Sequence, residues 1–313
     1  MSPGDDPTQA ARSRGSLLGL AVGDALGTTL EFSVPGRFEP VTDMVGGGHF
    51  LLDPGQWTDD TSMALCLAES IIETGWDPVD QLERYLRWMQ DGHLSSTGRC
   101  FDTGLTVLRA LREFETTREP WSGPTSPDTA GNGSIMRLAP VAIAFATSPA
   151  LAVERAADSS RTTHGAATAV DACRFLASLI VGAIQGVAKE ELLDPGFWRH
   201  GKLAPEIAEI AAGSFKRKEP PEIQGTGFVV RSLEAALWAL DRSNSFAEGA
   251  LLAVNPGQDA DTTGAVYGQL AGALFGDLGI PARWLELLTF RELIEQFADR
   301  LFAISQMEGQ VSG

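Results

Sequence analysis

Two short stretches of this 313-residue chain gather enough acidic and hydroxyl side chains to bind metal ions. One reads WTDDTSMAL and contains Asp59 and Asp60; the other reads NPGQDADTTGAV and contains Asp259 and Asp261. Carboxylates this crowded repel one another unless a cation lies among them, and oxygen ligands suit Mg²⁺, Mn²⁺ or Ca²⁺ better than zinc. Neither stretch alone completes an octahedral site. Together they predict two ions that share a bridging carboxylate.

The alternative explanation for both stretches is helix capping. Each stands just before a helical apolar pattern, and Thr or Asp at an N-cap, followed by acids in the first turn, complements the helix dipole. Capping explains one or two acids in either stretch. Two stretches of nearly the same chemistry favour the metal site.

A third stretch, GLAVGDALGTTLEF, adds two further acids, Asp24 and Glu31. They are seven residues apart, so on a continuous helix they share one face, with Gly27 between them. The glycines by themselves indicate close helix packing. An acid on such an apolar, glycine-lined helix needs a partner, and a metal ion would be one.

The segment DTAGNGSIMRLAP contains a Gly-Asn-Gly-Ser turn, which we expect to open an apolar helix. The exposed N–H groups of such a turn form a concave nest that binds anions, although an ordinary loop with a serine cap has the same composition. Further along, SSRTTHG puts His164 just before another apolar helix. A lone histidine there is usually a capping or packing residue.

Composition narrows the classes of function. The net charge of -17 argues against nucleic acid or an anionic membrane as a partner, since both need a cationic surface. No apolar run is expected to reach the ~18 residues of a membrane span. The three scattered cysteines predict neither disulfides nor zinc, and we expect no secretory signal in the polar N-terminal stretch. We therefore expect a cytoplasmic protein, and a monomer.

The apolar residues recur every three to four positions almost throughout the chain, which predicts helices. Alternating β-branched runs are nearly absent. The segment from Glu119 to Gly133 is the exception, a long loop inside a helical chain. We predict an all-α protein with a single compact domain over residues 11–306 and a disordered tail over residues 1–10.

Taken in this order, these pieces resemble the ADP-ribosylglycohydrolase family, whose members include the dinitrogenase reductase-activating glycohydrolase. The resemblance runs from residue 15 to about residue 290, and the paired acidic motifs combined with GNGSxMR are specific to that family. It implies a many-helix domain with a central binuclear cleft that holds two Mg²⁺ or Mn²⁺ ions. The matching stretches are GLAVGDALGTTLE, WTDDTSMAL, GNGSIMRLAP, RTTHG, GTGFVVRSLEAALWAL and NPGQDADTTGAVYGQLAGALFG.

The resemblance also implies roles for individual residues. The metal ligands would be Thr58, Asp59, Asp60, Asp259, Asp261 and Thr262. The substrate-binding residues would be Gly131, Asn132, Gly133, Ser134, His164 and Phe228. The catalytic acids would be Glu31, Asp60 and Asp102. Two positions depart from the family pattern, because relatives more often have Tyr at Phe228 and a neutral residue at Arg231.

The implied activity is metal-dependent hydrolysis of the bond between ADP-ribose and an acceptor, either an ADP-ribosylated protein or a small-molecule conjugate. The CFDTG segment favours arginine as the acceptor, because the Asp102 carboxylate can pair with a guanidinium by two parallel hydrogen bonds. Asp102 could instead cap a helix that begins near Thr103. Serine-linked ADP-ribose, a phosphoesterase reaction and a non-enzymatic structural role are the alternatives; the last predicts a broken ligand set, whereas all six ligands are present here.

Overall fold

The computed structural model of the protein describes residues 7–311. Within that range the chain forms α-helices, three short 3₁₀ helices and two isolated β-bridges, without a strand, so the predicted all-α fold is confirmed. The helices are α1 Gln9–Gly27, α2 Asp59–Thr74, α3 Pro78–Asp91, α4 Leu105–Thr117, α5 Ala139–Ala144, α6 Pro149–Thr163, α7 Ala167–Ile184, α8 Lys189–Leu192, α9 Pro205–Ala211, α10 Val229–Arg242, α11 Phe246–Val254, α12 Ala260–Phe275, α13 Ala282–Leu287 and α14 Arg291–Val311.

The two ends of the chain differ from the expected boundaries. Residues 1–6 of the predicted tail lie outside the described residues. Helix α1 already begins at Gln9, where the Thr8 hydroxyl oxygen accepts a hydrogen bond from the Ala11 N–H at 3.2 Å. Helix α14 continues to Val311, past the expected domain end at residue 306. One contiguous core of buried side chains extends from α1 to α14.

Helices α1 and α12 pack antiparallel with their backbones in direct contact. Glycines recur every fourth residue on both helices and face one another across the contact. The facing pairs are Gly15 with Gly272, Gly19 with Gly268, Gly23 with Gly264, and Gly27 with Ala260. A Cβ atom at Gly23 would lie 2.0 Å from the Gly264 carbonyl oxygen, so only glycine permits this approach. The packing brings the start of α12 to the end of α1.

The end of α1 also holds the start of α2. The Asp24 carboxylate is fully buried and accepts hydrogen bonds from the backbone N–H and the hydroxyl of Thr58, both at 2.9 Å. It accepts the same pair from Thr61, at 3.0 and 2.6 Å. The partner of Asp24 is therefore the first turn of α2. Our expectation of a continuous helix carrying Asp24 and Glu31 is wrong, because α1 ends at Gly27 and Glu31 lies in the turn that follows.

The expectation that no apolar run reaches membrane-spanning length is wrong for α7. In the described part of the chain, the 18 residues Ala167–Ile184 have a mean hydropathy of 1.6, enough in length and composition for a span. Of that window, 78% is buried inside the protein, however. The helix packs against α6, α12 and α5 as a core element.

Candidate active site

The starts of α2 and α12 bring the two acidic stretches together. The Thr58 hydroxyl oxygen lies 3.1 Å from Asp60 Oδ2 and 3.3 Å from Asp261 Oδ2. Two groups of three carboxylates have oxygens within 4.8 Å of one another. They are Asp24 with Asp60 and Asp261, and Glu31 with Asp102 and Asp261. Asp261 belongs to both groups, which is the position a bridging carboxylate would take.

Helix capping does not account for these acids. Thr58 and Asp259 do occupy the N-cap positions of α2 and α12, but neither side chain makes a capping hydrogen bond. Within residues 7–311, the buried oxygens Asp60 Oδ1, Asp261 Oδ1 and Glu31 Oε2 have no hydrogen-bond partner. A buried carboxylate oxygen without a donor is costly, and a cation would satisfy it. The donor set therefore fits divalent metal ions.

The electrostatics of the cluster lead to the same conclusion. Burial, reinforced by the neighbouring negative charges, raises the pKa of Asp59, Asp60 and Asp261 well above the usual range. Burial and then the nearby Asp102 raise the pKa of Glu31 to about 10. Burial raises the pKa of Asp24 to about 6, against four hydrogen bonds that lower it. The ionised cluster is thus unfavourable at neutral pH without added positive charge.

A cavity of about 780 Å³ opens beside the acids and joins them to the glycine turn. Most of the predicted site residues line it. From the acidic side these are Glu31, Asp59, Asp102, Asp259 and Thr262, and from the opposite side Gly131, Asn132, Gly133 and His164. The two sides are tied together, since the Asn132 side-chain N–H donates to Asp259 Oδ2 at 2.6 Å.

The Gly131–Ser134 turn has the features of an anion nest. In the described chain, the backbone N–H groups of Gly133 and Ser134 donate no hydrogen bond. The Ser134 hydroxyl accepts from Ser160 Oγ at 3.0 Å, and Ser134 is completely buried and does not line the cavity, so the free donor that a ligand can reach is the Gly133 N–H. The turn does not open a helix as we expected: α5 begins five residues later, at Ala139. The nest is therefore built by the turn itself.

His164 forms the back of this nest. Its ring is buried, with Nδ1 at 2.9 Å from the Thr163 hydroxyl, and a Cβ atom added at Gly133 would lie 2.9 Å from its Cε1. Burial, together with the positive charge of Arg137, lowers the pKa of His164 to about 3. The imidazole is therefore neutral at physiological pH and packs directly against the glycines.

Asp102 lines the cleft and does not cap a helix. Helix α4 begins at Leu105 with Gly104 as its N-cap, so the capping alternative for Asp102 is wrong. Asp102 has a left-handed backbone (φ 53), which is uncommon outside glycine and tolerated best by Asn and Asp. Its side chain interacts with Glu31 and Asp59, and burial raises its pKa. This conformation turns the carboxyl group into the acidic cluster.

Comparison with known proteins identifies the family of this site. The family model described as ADP-ribosylglycohydrolase matches residues 5–311. The chain belongs to this family.

Several relatives match over nearly the whole length of this family member. ADP-ribosylarginine hydrolase Tri1 of Pseudomonas putida (strain GB-1) is 45% identical over 298 residues, covering 95% of this chain and 79% of that protein. The ADP-ribosyl-[dinitrogen reductase] glycohydrolase of Rhodospirillum rubrum is 33% identical, and the match covers 96% of this chain and 99% of that protein. A solved structure of an ADP-ribosylglycohydrolase-related protein complex superposes with a TM-score of 0.86 at 45% identity. The superposition covers 95% of this chain and 99% of the chain in that structure.

The two departures from the family pattern have clear positions in this glycohydrolase. Phe228 makes an isolated β-bridge with Gly131 and is 41% exposed, so its ring stands at the margin of the cleft. The Arg231 guanidinium lies 3.6 Å from the buried Glu234 carboxylate. Lys218 Nζ contacts the same carboxylate at 2.6 Å, so Arg231 shares one buried acid with Lys218.

Sequence reasoning missed two residues of the glycohydrolase site. Arg137 is completely buried behind the nest, and its signal was a lone arginine inside the apolar run IMRLAPVAIA. Phe32 lines the cavity next to Glu31 while remaining 59% exposed. The sequence does not mark Phe32 as a site residue, because an aromatic residue after an acidic one is common. Only its left-handed backbone (φ 59) turns the ring to the cleft.

Proposed function

We propose that this protein hydrolyses the N-glycosidic bond between ADP-ribose and an arginine side chain, releasing ADP-ribose and the unmodified arginine. The observation that carries the proposal is the single cavity in which an anion nest, a cluster of buried acids and the Glu31–Asp102 pair converge. The relative from Pseudomonas putida, 45% identical, carries the name of that activity.

The order of the subsites follows the order of groups in the substrate. The pyrophosphate would bind at the glycine turn through the Gly133 N–H, and the distal ribose would then reach the acids. Two Mg²⁺ or Mn²⁺ ions would neutralise those acids and orient the ribose hydroxyls and a water molecule. The ions would be held by Thr58, Asp59, Asp60, Asp259, Asp261 and Thr262.

Hydrolysis needs two proton movements at the anomeric carbon. The water oxygen bonds to that carbon while the carbon–nitrogen bond breaks through an oxocarbenium-like transition state. The bonding electron pair leaves with the guanidine nitrogen, which takes up a proton, and the water gives up one of its own. Glu31 and Asp102, whose carboxyl groups lie together beside Asp261, would accept and donate these protons.

The acceptor end of the cavity favours a planar cation. The rings of Phe32 and Phe50 lie 6.2 Å apart, and those of Phe50 and Phe101 lie 5.1 Å apart. This chain of rings joins the residue after Glu31 to the residue before Asp102. A guanidinium binds both to a carboxylate and to an aromatic face, whereas a neutral serine side chain gains little from either.

Two variants test the arginine linkage. Asp102→Asn keeps the left-handed backbone and removes the charge; Phe32→Leu removes the ring. Each should lower kcat/KM on ADP-ribosylarginine by about tenfold or more, since a charge-assisted bond or a desolvated cation–π contact contributes about 1.5–3 kcal/mol. Affinity for free ADP-ribose should change little. Phe290→Leu is the matched control, because Phe290 is also left-handed (φ 55) and 49% exposed but lies outside the cleft.

Product analysis separates the alternatives. Turnover of serine-linked substrate alone by the parent protein would overturn the arginine assignment and leave the glycohydrolase reaction intact. Release of AMP or inorganic phosphate would instead support a metal-dependent phosphoesterase. Equal turnover of ADP-ribosylarginine by Asp102→Asn and the parent would remove Asp102 from the reaction.

The expectations about partners and location belong to the same proposal. We propose that the substrate is an ADP-ribosylated protein or a small conjugate, bound by a cytoplasmic monomer. The net charge of -17 supports a basic target peptide and disfavours nucleic acid. Light scattering of the purified protein would test the monomer, and cell fractionation would test the location.

A further inference from the structure

Arg137 is an unusual cation. Its side chain has 0% exposure, and in the described part of the chain no carboxylate lies within salt-bridge distance of it. Fully buried arginines are ordinarily paired with an acid, because removing an ion from water is costly. The guanidinium instead donates to neutral oxygens and lies over the Tyr85 ring, 4.7 Å from its centre. Its acceptors are Gly133 O at 2.6 Å, Ser159 O at 3.2 Å, Thr162 Oγ1 at 3.2 Å and Thr163 Oγ1 at 2.8 Å.

The shortest of these bonds reaches the anion nest. Arg137 Nη1 donates to the Gly133 carbonyl, which belongs to the peptide that joins Gly133 to Ser134. Gly133 lines the cavity, and its own N–H has no hydrogen-bond partner within the described residues. A hydrogen bond from a charged donor is strong, more so where the local dielectric is low. The guanidinium therefore holds Gly133 in place and puts a positive charge directly behind the nest.

We propose that Arg137 is a positioning residue for pyrophosphate, acting through the Gly133 carbonyl. The guanidinium would keep the Gly133 N–H in place and add a positive charge behind the nest, where water cannot screen it. The proposal rests on the proposed function only in taking pyrophosphate as the ligand of the nest. It gives this acidic protein a fixed cation to offset the two negative charges of ADP-ribose.

A second effect of the same charge is visible beside the nest. Arg137 lowers the pKa of His164, in addition to the effect of burial. The field of the guanidinium therefore reaches the residue against which Gly131 and Gly133 pack. A phosphate in the nest would lie within the same field.

The experiment compares a neutral and a charged replacement of similar length, Arg137→Met and Arg137→Lys. ADP-ribose affinity is measured by calorimetry in Mg²⁺ buffer, and KM and kcat are measured on ADP-ribosylarginine. For Arg137→Met we expect ADP-ribose affinity to fall by about tenfold or more, KM to rise in parallel and kcat to stay within about threefold. Arg137→Lys should recover part of the affinity.

Arg137→Lys gives a second test that does not require the neutral variant to fold. A buried lysine without an acid partner loses its proton at a lower pH than a free one, and in this variant it should do so between about pH 7 and 9. The ADP-ribose dissociation constant of Arg137→Lys, divided by that of the parent at each pH, should then rise across this range. A flat ratio, together with parental affinity, would overturn the proposal.

Thr162→Val is the control for lost packing. It removes one hydrogen bond to the same guanidinium but leaves the charge and the Gly133 bond in place. It should lower the melting temperature without changing ADP-ribose affinity. If Thr162→Val lowers the affinity for ADP-ribose as much as Arg137→Met does, Arg137 acts only through local packing. If the parent itself fails to bind ADP-ribose, the proposed function fails first, and calorimetry reveals this directly.

Discussion

The contact between α1 and α12 should be intolerant of a single methyl group. We consider Gly23→Ala, the position directly before Asp24. The added Cβ would lie 2.0 Å from the Gly264 carbonyl oxygen, whereas ordinary contact begins at 3.4 Å, so the deficit is 3.4 minus 2.0, or 1.4 Å. Both sides of the contact are backbone, so no side chain can rotate away. The two helices must move apart.

The expected cost follows from these distances. Overpacking costs about 1–3 kcal/mol, and each weakened hydrogen bond that the Asp24 carboxylate accepts from the start of α2 adds about 1 kcal/mol. The better helix propensity of alanine returns about 0.5–1 kcal/mol. We therefore expect a net loss of about 2–4 kcal/mol. At about 2 °C per kcal/mol for a domain of this size, the melting temperature should fall by about 4–8 °C.

The assay is thermal unfolding in EDTA and again in Mg²⁺. Because the separation also moves Asp261 away from Thr58, the stabilisation by Mg²⁺ should shrink as well. Gly104→Ala is the control: a Cβ atom there meets nothing within 4 Å, and its φ is not left-handed. The reasoning is refuted if Gly23→Ala melts within about 1 °C of the parent and keeps its full response to Mg²⁺.

Three further predictions concern the cleft. Since folding raises the pKa of Asp24 to about 6 and of Glu31 to about 10, EDTA-treated protein should lose stability as pH rises from 5 to 8, whereas Mg²⁺ should flatten that slope; a melting temperature that rises with pH would contradict this. Asp261→Asn should melt higher than the parent in EDTA, by relief of repulsion, but gain nothing from Mg²⁺. Gly133→Val should abolish stabilisation by ADP-ribose, because its side chain would collide with His164, and an unchanged thermal shift would remove the nest from the binding site.

The cost of the acidic cluster is part of the same reasoning. Three buried carboxylate oxygens without a partner, together with raised pKa values, describe a site that destabilises the fold until a cation binds. Stability that depends on a bound cation distinguishes a metal site from an acidic surface. On an acidic surface, removal of one charge changes the free energy of unfolding little. The Asp261→Asn comparison in EDTA and in Mg²⁺ measures this linkage directly.

Much of this protein could be predicted from local patterns. The apolar period predicts the helices, and the acids before two such patterns predict the N-terminal ends of α2 and α12. The order of motifs identified the family, and the glycine turn with His164 was expected near the substrate. The predictions of the helices and of the family succeed because each depends on neighbours along the chain. The glycines around Asp24 were also readable, as a sign of close helix packing.

The sequence by itself thus determined the type of each secondary-structure element and the functional side chains on it. Only the tertiary structure decided which elements meet. Nothing near Gly23 specifies Gly264 as its partner, and nothing near Asp102 indicates that a left-handed backbone directs its carboxyl group to Glu31. The charge of Arg137 likewise acquires a role only because the fold buries it against the Gly133 carbonyl. Contacts between distant segments depend on the fit of whole surfaces, and no local pattern in the chain encodes that fit.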